Sequence, residues 1–557
     1  MTIDLRVIHT TDVHGTFFPF DFINRRDAAG SLARVATYVE KLRREYGDRL
    51  LLLDGGDILQ GQPTCYFSNF VEPHRENLAA KVTNYMHYDA VAFGNHDVET
   101  GHAVYDKWIT EVECPVLGAN IIDTRTNEPY VRPYTILERQ GIRIAILGLL
   151  TPAIPHWLNE ELWKGLRFDA MVASARHWMQ VIRQQEQPDL VIGLFHSGAE
   201  GGITTAEYSE NDSLRVAREV PGFDLVLFGH DHHRFSGTVT NTEGQSVLCL
   251  DPSCNALMIS DVLVRLDIRQ GKVAGKHIDG SVVNIAHLPE SPSFMEHFHS
   301  DISDIQAYVD RPLGESDSYM YTRDSYFGNS AFSDFIHRLQ LSITHADISF
   351  NAPLTFDTCI PHGTIHMSDM FNLYRYENQL YVLRLTGEEV RRHLELSYDR
   401  WICTMHSPSD PLMKMERHWL SGAKRWIYLF SNLAFNFDSA MGIDYEVDVR
   451  RPFGERIRIL RMSDGRPFSP TATYRVAMHS YRGNGGGELL TLGAGIPHDE
   501  LKNRREWQSD CDQRHYLTQE ILRQGTIHPR PAHNWRFVPE EWTRPAILRD
   551  RRLLFGE

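Results

Sequence analysis

Six short apolar runs organise the first half of this 557-residue chain, at residues 5–8, 50–53, 90–93, 144–150, 190–195 and 225–228. They are almost continuous Leu, Ile, Val, Ala and Phe, which marks strands buried on both faces; strands with one wet face would alternate. Between them lie amphipathic stretches, clearest at residues 31–46, where apolar positions recur every three or four residues as on one face of a helix. Buried strands separated by helices imply an α/β layered fold. Further alternating segments, such as residues 256–268, supply strands that complete a sandwich of two sheets.

One hydrophobic core does not extend over such a length, so two or more domains are expected. Residues 291–309 read as a single helix, after which Arg311-Pro312-Leu313-Gly314 punctuates the chain as a linker. Another α/β or α+β unit follows, with helices expected at 332–341 and 387–396 and strands at 347–350 and 474–478. After Pro529 the chain is rich in Pro, Arg and Trp with little periodicity and reads as a wrapping extension. The expected division is a first domain at 1–288, a linker helix at 289–312, a second domain at 313–528 and an extension at 529–557.

The formal net charge of -16 argues against DNA or RNA as a main partner, because phosphate neutralisation needs clustered Lys and Arg. A small anionic substrate is still compatible, since bound divalent cations would reverse the local sign. No apolar run reaches the length of a membrane span. Met1 to Arg6 leads directly into Val7-Ile8 with no signal-peptide pattern, so a cytoplasmic location is expected unless a leader was removed. The seven cysteines (65, 114, 249, 254, 359, 403 and 511) are odd in number and contain no CxxC pair, which speaks against a disulfide scaffold or a zinc knuckle. Cys249 and Cys254 are close enough in sequence to bridge, although buried lone thiols are the commoner outcome.

The ends of the apolar runs carry the chemistry. Asp12 and His14 follow the first run, Asp57 the second, and Asn95 and His96 the third. His196 ends the fifth, and His230 and His232 follow the sixth. Open α/β sheets build their sites at the carboxyl ends of strands, so five segments deliver Asp, His and Asn to one sheet edge. Asp12-x-His14 and His230-x-His232 are expected to converge as i, i+2 pairs that point the same way from an extended backbone. Mixed imidazole, carboxylate and amide ligands suit Zn, Mn, Fe or Co better than calcium. Seven ligands exceed one tetrahedral ion and serve two that share a carboxylate. Any one Asp-x-His is more often a polar strand end satisfied by water; five together are not.

The series Asp-x-His, Gly-Asp, Gly-Asn-His-Asp, His-Ser-Gly and Gly-His-x-His, over residues 1–270, resembles the calcineurin-like metallophosphoesterase signature. The resemblance implies a four-layer α/β/β/α sandwich holding two divalent metal ions (Zn, Mn, Co, Fe or Mg). It implies Asp12, His14, Asp57 and His232 around one ion and Asp57, Asn95, His196 and His230 around the other, with Asp57 bridging. His96 would be the catalytic histidine beside the leaving group, in a reaction where metal hydroxide attacks phosphorus. Its ring needs a carboxylate to orient it, for which Glu99 and Asp97 both stand as candidates.

Residues 320–525 are similar to the substrate-binding domain of the 5'-nucleotidase superfamily, opening at Gly328-Asn329-Ser330 and Asp334. Phe350-Asn351-Ala352-Pro353-Leu354-Thr355-Phe356 lacks the arginine of the 5'-nucleotidases proper. Leu373-Tyr374-Arg375-Tyr376-Glu377-Asn378, Phe435-Asn436-Phe437-Asp438 and Ser480-Tyr481-Arg482-Gly483-Asn484-Gly485-Gly486-Gly487 resemble the 2',3'-cyclic-nucleotide 2'-phosphodiesterase/3'-nucleotidase branch. Phe435 and Tyr481 match that family's two base-stacking positions, with Phe437 as rival to Phe435; stacking holds a base with little sequence preference. Arg482, Gly485 and Gly486 complete the expected substrate contacts, the glycines by close backbone approach or as a plain turn. The leading expectation is a hydrolase of 2',3'-cyclic nucleotides and 3'-nucleotides, with a small nucleotide as its ligand. A 5'-nucleotidase or nucleotide-sugar hydrolase, a phosphoesterase for non-nucleotide esters, and a non-catalytic nucleotide-binding or adhesion module are the alternatives.

Overall fold

The computed structural model describes residues 1–420 and 424–557, and it divides into two compact units, Met1–Val309 and Asp310–Glu557. In the first unit every apolar run is a strand. β1 (Thr2–Thr10), β2 (Leu50–Asp54), β3 (Ala90–Ala92) and β4 (Val116–Leu117) lie parallel in one six-stranded sheet. The second sheet contains β5 (Tyr134–Arg139), β6 (Ile142–Leu150), β7 (Leu190–His196), β8 (Leu225–Phe228), β9 (Arg234–Thr240) and β10 (Ser246–Pro252). The first is completed by β11 (Met258–Arg269) and β12 (Lys272–Asn284), with β11 antiparallel to β1.

Alternation along these strands builds four layers. Leu51 and Leu53 of β2 share a core with Ile144 and Ile146 of β6 and Ile192 and Leu194 of β7, so it lies between the sheets. Leu50 and Leu52 face the opposite way, into a core with Val35 and Val39 of the helix Leu32–Tyr46. Leu147, Leu149 and Val226 face a third core with Ala175 and Met179 of the helix Met171–Val181. Each strand is therefore dry on both sides, which is why it reads as a continuous apolar run. Ser31 caps the first of those helices by accepting from Arg34 N–H.

The stretch read as one helix at 291–309 is two, Pro292–His297 and His299–Val309, which bury Phe294, Phe298, Ile305 and Val309 in the core of the first unit. Residues 311–314, read as a linker, fall largely in the strand Pro312–Ser316, which pairs with Gly363–His366 and Thr526–Ile527. The second unit is organised on a five-stranded sheet in the order Ser439–Met441, Ile348–Asn351, Thr473–His479, Gln379–Thr386 and Arg505–Asp512. Val390, Leu394, Tyr398 and Trp401 of the helix Gly387–Trp401 pack against it. The tail is no loose wrapping: Trp535–Val538 pairs parallel with Ile443–Asp448, and the helix Glu540–Phe555 contributes Ala546 and Leu554 to the same core. All seven cysteines are free thiols.

Candidate metal centre

Because β1, β2 and β3 are parallel, as are β6, β7 and β8, residues just past their ends collect at one edge of the sandwich. The convergence does not come from i, i+2 alternation on extended backbone. Asp12, His14, Asp57, His230 and His232 all have positive φ, at 50°, 49°, 59°, 90° and 59°. Left-handed backbone is uncommon for non-glycine residues and costs on the order of 1–3 kcal/mol each, so the surrounding fold must over-determine it. Close glycine contacts show how. A Cβ on Gly94 would lie 2.2 Å from Asp57 Oδ1, and one on Gly229 would lie 2.2 Å from Asp12 Oδ2.

All seven predicted ligands meet. His232 Nε2 lies 3.3 Å from Asp12 Oδ1 and 2.9 Å from His14 Nε2. His196 Nε2 lies 3.1 Å from Asp57 Oδ2 and 3.0 Å from Asn95 Oδ1, and His230 Nδ1 lies 2.7 Å from the same Asn95 oxygen. Asp57 Oδ2 is also 4.0 Å from His14 Nε2. That oxygen is buried without a well-formed hydrogen bond, a costly state for a carboxylate unless a cation meets it. Outer contacts fix two rings. His14 Nδ1 faces the Gln60 carbonyl at 3.1 Å and His196 Nδ1 faces the Gly55 carbonyl at 2.8 Å. A carbonyl demands N–H on that nitrogen, so in the neutral ring Nε2 keeps a lone pair aimed inward. Two sets, Asp12–His14–His232 and Asp12–Asp57–His196, are compact enough to hold metal ions. Their oxygen and imidazole donors fit divalent cations of the zinc and manganese type.

His96 and its two candidate partners separate clearly. His96 Nδ1 is 2.5 Å from Glu99 Oε2, and its backbone N–H donates to Asp57 Oδ1 at 2.7 Å. Burial would lower the His96 pKa, but Asp57 and Glu99 outweigh it and push it up to about 9. Asp97 does not meet the ring. Its carboxylate accepts from the backbone N–H groups of Asp57, Ile58, Leu59 and Gly94 at 2.8–3.0 Å, clamping the Asp57 turn to the Asn95 turn. Sequence reasoning missed Glu210, whose Oε1 lies 3.1 Å from His230 Nε2. It sits in the hairpin formed by Gly201–Thr204 and Ser209–Asn211, away from any strand end of the large sheets, so no pattern marks it.

In the second unit the aromatic candidates also separate. Phe437 is fully buried and stacks on Trp401 at 5.4 Å, so it is a core residue. Phe435 and Tyr481 are half-buried neighbours with centroids 6.1 Å apart, edge to face at 86°. No parallel slot lies between them in this conformation, because a sandwiched base needs both faces turned toward it. Gly486 lies against the Tyr481 ring, where a Cβ would come within 2.6 Å of Cε2 and Cζ. Gly485 turns the loop at a φ of 100°.

Arg482 is not placed for a ligand. Its guanidinium is fully buried and grips Asp438 through two bonds, Nε to Oδ2 at 2.9 Å and Nη2 to Oδ1 at 3.1 Å. The other donors reach Phe435 O at 2.9 Å, Asn436 Oδ1 at 3.3 Å and the Gly486 carbonyl. All five N–H groups are thus consumed in tying the Phe435 loop to the Tyr481 loop. His393 Nε2 completes the network 2.8 Å from Asp438 Oδ2.

Residues 5–234 match the calcineurin-like phosphoesterase family and residues 307–493 match the 5'-nucleotidase C-terminal domain. The trifunctional nucleotide phosphoesterase protein YfkN of Bacillus subtilis is 24% identical over 97% of this chain, which spans 39% of that protein's length. The 2',3'-cyclic-nucleotide 2'-phosphodiesterase/3'-nucleotidase of Yersinia enterocolitica is 24% identical over 98% of this chain and 90% of its own. A solved Staphylococcus aureus protein in complex with α-ketoglutarate shares the fold, with a TM-score of 0.77 at 18% identity over 96% of this chain and 100% of that one.

Proposed function

The chain belongs to the 5'-nucleotidase superfamily, a calcineurin-like phosphoesterase domain followed by a 5'-nucleotidase C-terminal domain, and on that premise we propose that it hydrolyses 2',3'-cyclic nucleotides and 3'-nucleotides. The observation that carries the reading is the meeting of all seven ligand-type residues at one strand edge, with a buried Asp57 oxygen that accepts no well-formed hydrogen bond and has His196 Nε2 at 3.1 Å. Two divalent cations, of Zn, Mn, Co, Fe or Mg, would supply charge neutralisation for the phosphoryl oxygens and activation of water. Asp12, His14, Asp57 and His232 would hold one, and Asp57, Asn95, His196 and His230 the other.

The chain's own groups do the rest. Glu99 holds His96 by Nδ1, which leaves Nε2 as the nitrogen that donates to the phosphate ester. A ring whose protonated form Asp57 and Glu99 favour can stabilise negative charge and protonate the departing 2' or 3' oxygen. Phe435 and Tyr481 would take the base, which requires one ring to turn from the edge-to-face pose. Two features favour this branch over a 5'-nucleotidase: the relatives so named span nearly the whole chain, and residues 351–374 contain no Lys or Arg to read a 5' phosphate.

Hydrolysis by the metal-reconstituted protein of 2',3'-cyclic AMP, followed as AMP and adenosine formed, and of 3'-AMP and 5'-AMP, followed as phosphate released, tests the assignment. Turnover of the first two above the third is expected. Preference for 5'-AMP would overturn the substrate class, and turnover of none would overturn the nucleotide reading.

A further inference from the structure

Among the clustered ligand histidines, His14, His196 and His230 differ in the group that faces the outer nitrogen. His14 and His196 each face a backbone carbonyl through Nδ1. His230 is reversed: Nδ1 points inward, 2.7 Å from Asn95 Oδ1, and Nε2 points outward at the Glu210 carboxylate, 3.1 Å away. We propose that Glu210 is a positioning residue that selects the tautomer of His230 and thereby completes the second cation site. The inference rests on the metal-centre reading above.

The physical case is one of donors and acceptors. A neutral imidazole carries one N–H and one lone pair. Ionised Glu210 offers only lone pairs, so it requires the hydrogen on His230 Nε2. Nδ1 is then left with its lone pair facing the Asn95 amide oxygen, which His196 Nε2 also approaches at 3.0 Å. Two acceptors at 2.7 Å repel unless a cation lies in reach of both, so the carboxylate pre-sets the ring for a divalent ion. Metal-ligating histidines are commonly held this way by a carboxylate, which also raises their basicity.

Glu210 is well anchored for the task. Its other oxygen, Oε2, accepts the Ile203 N–H at 2.7 Å across the hairpin. Its backbone carbonyl accepts from Thr151 Oγ1 at 2.9 Å and from Ser197 Oγ at 2.8 Å, the residue immediately after His196. The hairpin is therefore tied to the same strand end that presents His196, and one side chain transmits that position to His230. Trp157 covers the His230 ring from another side, with centroids 5.6 Å apart.

The test is Mn²⁺ titration of the chelator-stripped full chain, with free Mn²⁺ followed by electron paramagnetic resonance, for wild type, Glu210→Ala and Glu210→Gln. Wild type is expected to bind two ions. Glu210→Ala should weaken one of them by about 10–100-fold and leave the other unchanged, at a melting temperature of the stripped protein close to wild type. Glu210→Gln should recover most of the affinity, because its amide oxygen still accepts from Nε2. Two ions bound with wild-type affinity by Glu210→Ala would overturn the proposal. So would equal weakening of both with a lowered melting temperature, which would make Glu210 a strut of the hairpin. A wild-type chain that binds no ion would overturn the metal-centre reading itself, a result distinct from the other two.

Discussion

Arg482→Ala separates a structural arginine from a substrate-reading one. In wild type the guanidinium makes two bonds to the fully buried Asp438 and three to the loops of Phe435 and Gly486. Removing it leaves Asp438 with the His393 ring, whose charged form burial disfavours, as its remaining side-chain partner. Breaking a buried ion pair from one side costs about 3–5 kcal/mol, because the surviving charge is stranded in a low dielectric. The Phe435 and Gly486 carbonyls lose their donors as well, so the upper end of that range applies. For a domain of about 150–250 residues each kcal/mol moves the midpoint by about 2–4 °C, so about 5 kcal/mol gives a fall of roughly 10–20 °C for the second unit. Differential scanning calorimetry measures it, and steady-state hydrolysis of 3'-AMP at a temperature where the variant is folded supplies the contrast. Arg482→Lys should fall between, since it keeps the charge and loses the fork. An unchanged melting profile with a strongly raised KM would refute the reasoning and make Arg482 a substrate contact.

Acidification should act through the same network. The Asp438 carboxyl is held well below the usual carboxylate range, because Arg482 and then His393 outweigh the opposing effect of burial. A depressed carboxyl contributes stability that is complete above its unfolded pKa of about 3.9 and is lost as pH falls through the folded value. The stability gap between wild type and Asp438→Asn should thus be constant above about pH 5 and narrow below about pH 4, as read by urea unfolding. Glu99→Gln should lower kcat by about 10–100-fold at an unchanged melting temperature, the loss of one charge-assisted bond on His96. Asp97→Asn should instead cost about 2–3 kcal/mol of stability in thermal melts, because one amide oxygen cannot accept four backbone N–H groups. Phe435→Ala and Tyr481→Ala should raise KM with kcat nearly kept, whereas Phe437→Ala should cost about 3–5 kcal/mol by opening a cavity beside Trp401.

Most of the first unit is legible in the sequence because its strands are dry on both faces. Continuous runs such as residues 190–195 fix the strands, and the residues following them fall at the edge where parallel strands end. The backbone of the ligands is not legible: nothing local says that Asp12 or Asp57 adopts positive φ, since contacts with Gly229 and Gly94 respectively, distant in sequence, accompany the geometry. Arg482 invites misreading for a related reason. An arginine in a glycine-rich loop suggests a ligand, while its true partner, Asp438, lies 44 residues earlier. Phe435 and Phe437 share chemistry and loop, and only packing distinguishes the half-buried ring from the core one. The C-terminal helix is masked by Pro545 within it and by a high density of arginine, so its burial of Ala546 and Leu554 leaves little periodic trace.

The measurement that bears most directly on the central claim is hydrolysis of 2',3'-cyclic AMP, followed as AMP and adenosine formed, by wild type and Asp57→Ala, each stripped with chelator and then reloaded with Mn²⁺. Asp57 is the carboxylate within reach of both histidine sets, and its buried Oδ2 accepts no well-formed hydrogen bond. Wild type should lose hydrolysis on stripping and regain it on reloading, while Asp57→Ala should stay inactive in both states. Hydrolysis that survives stripping, or that persists in Asp57→Ala, would contradict a two-cation phosphoesterase built on this strand edge.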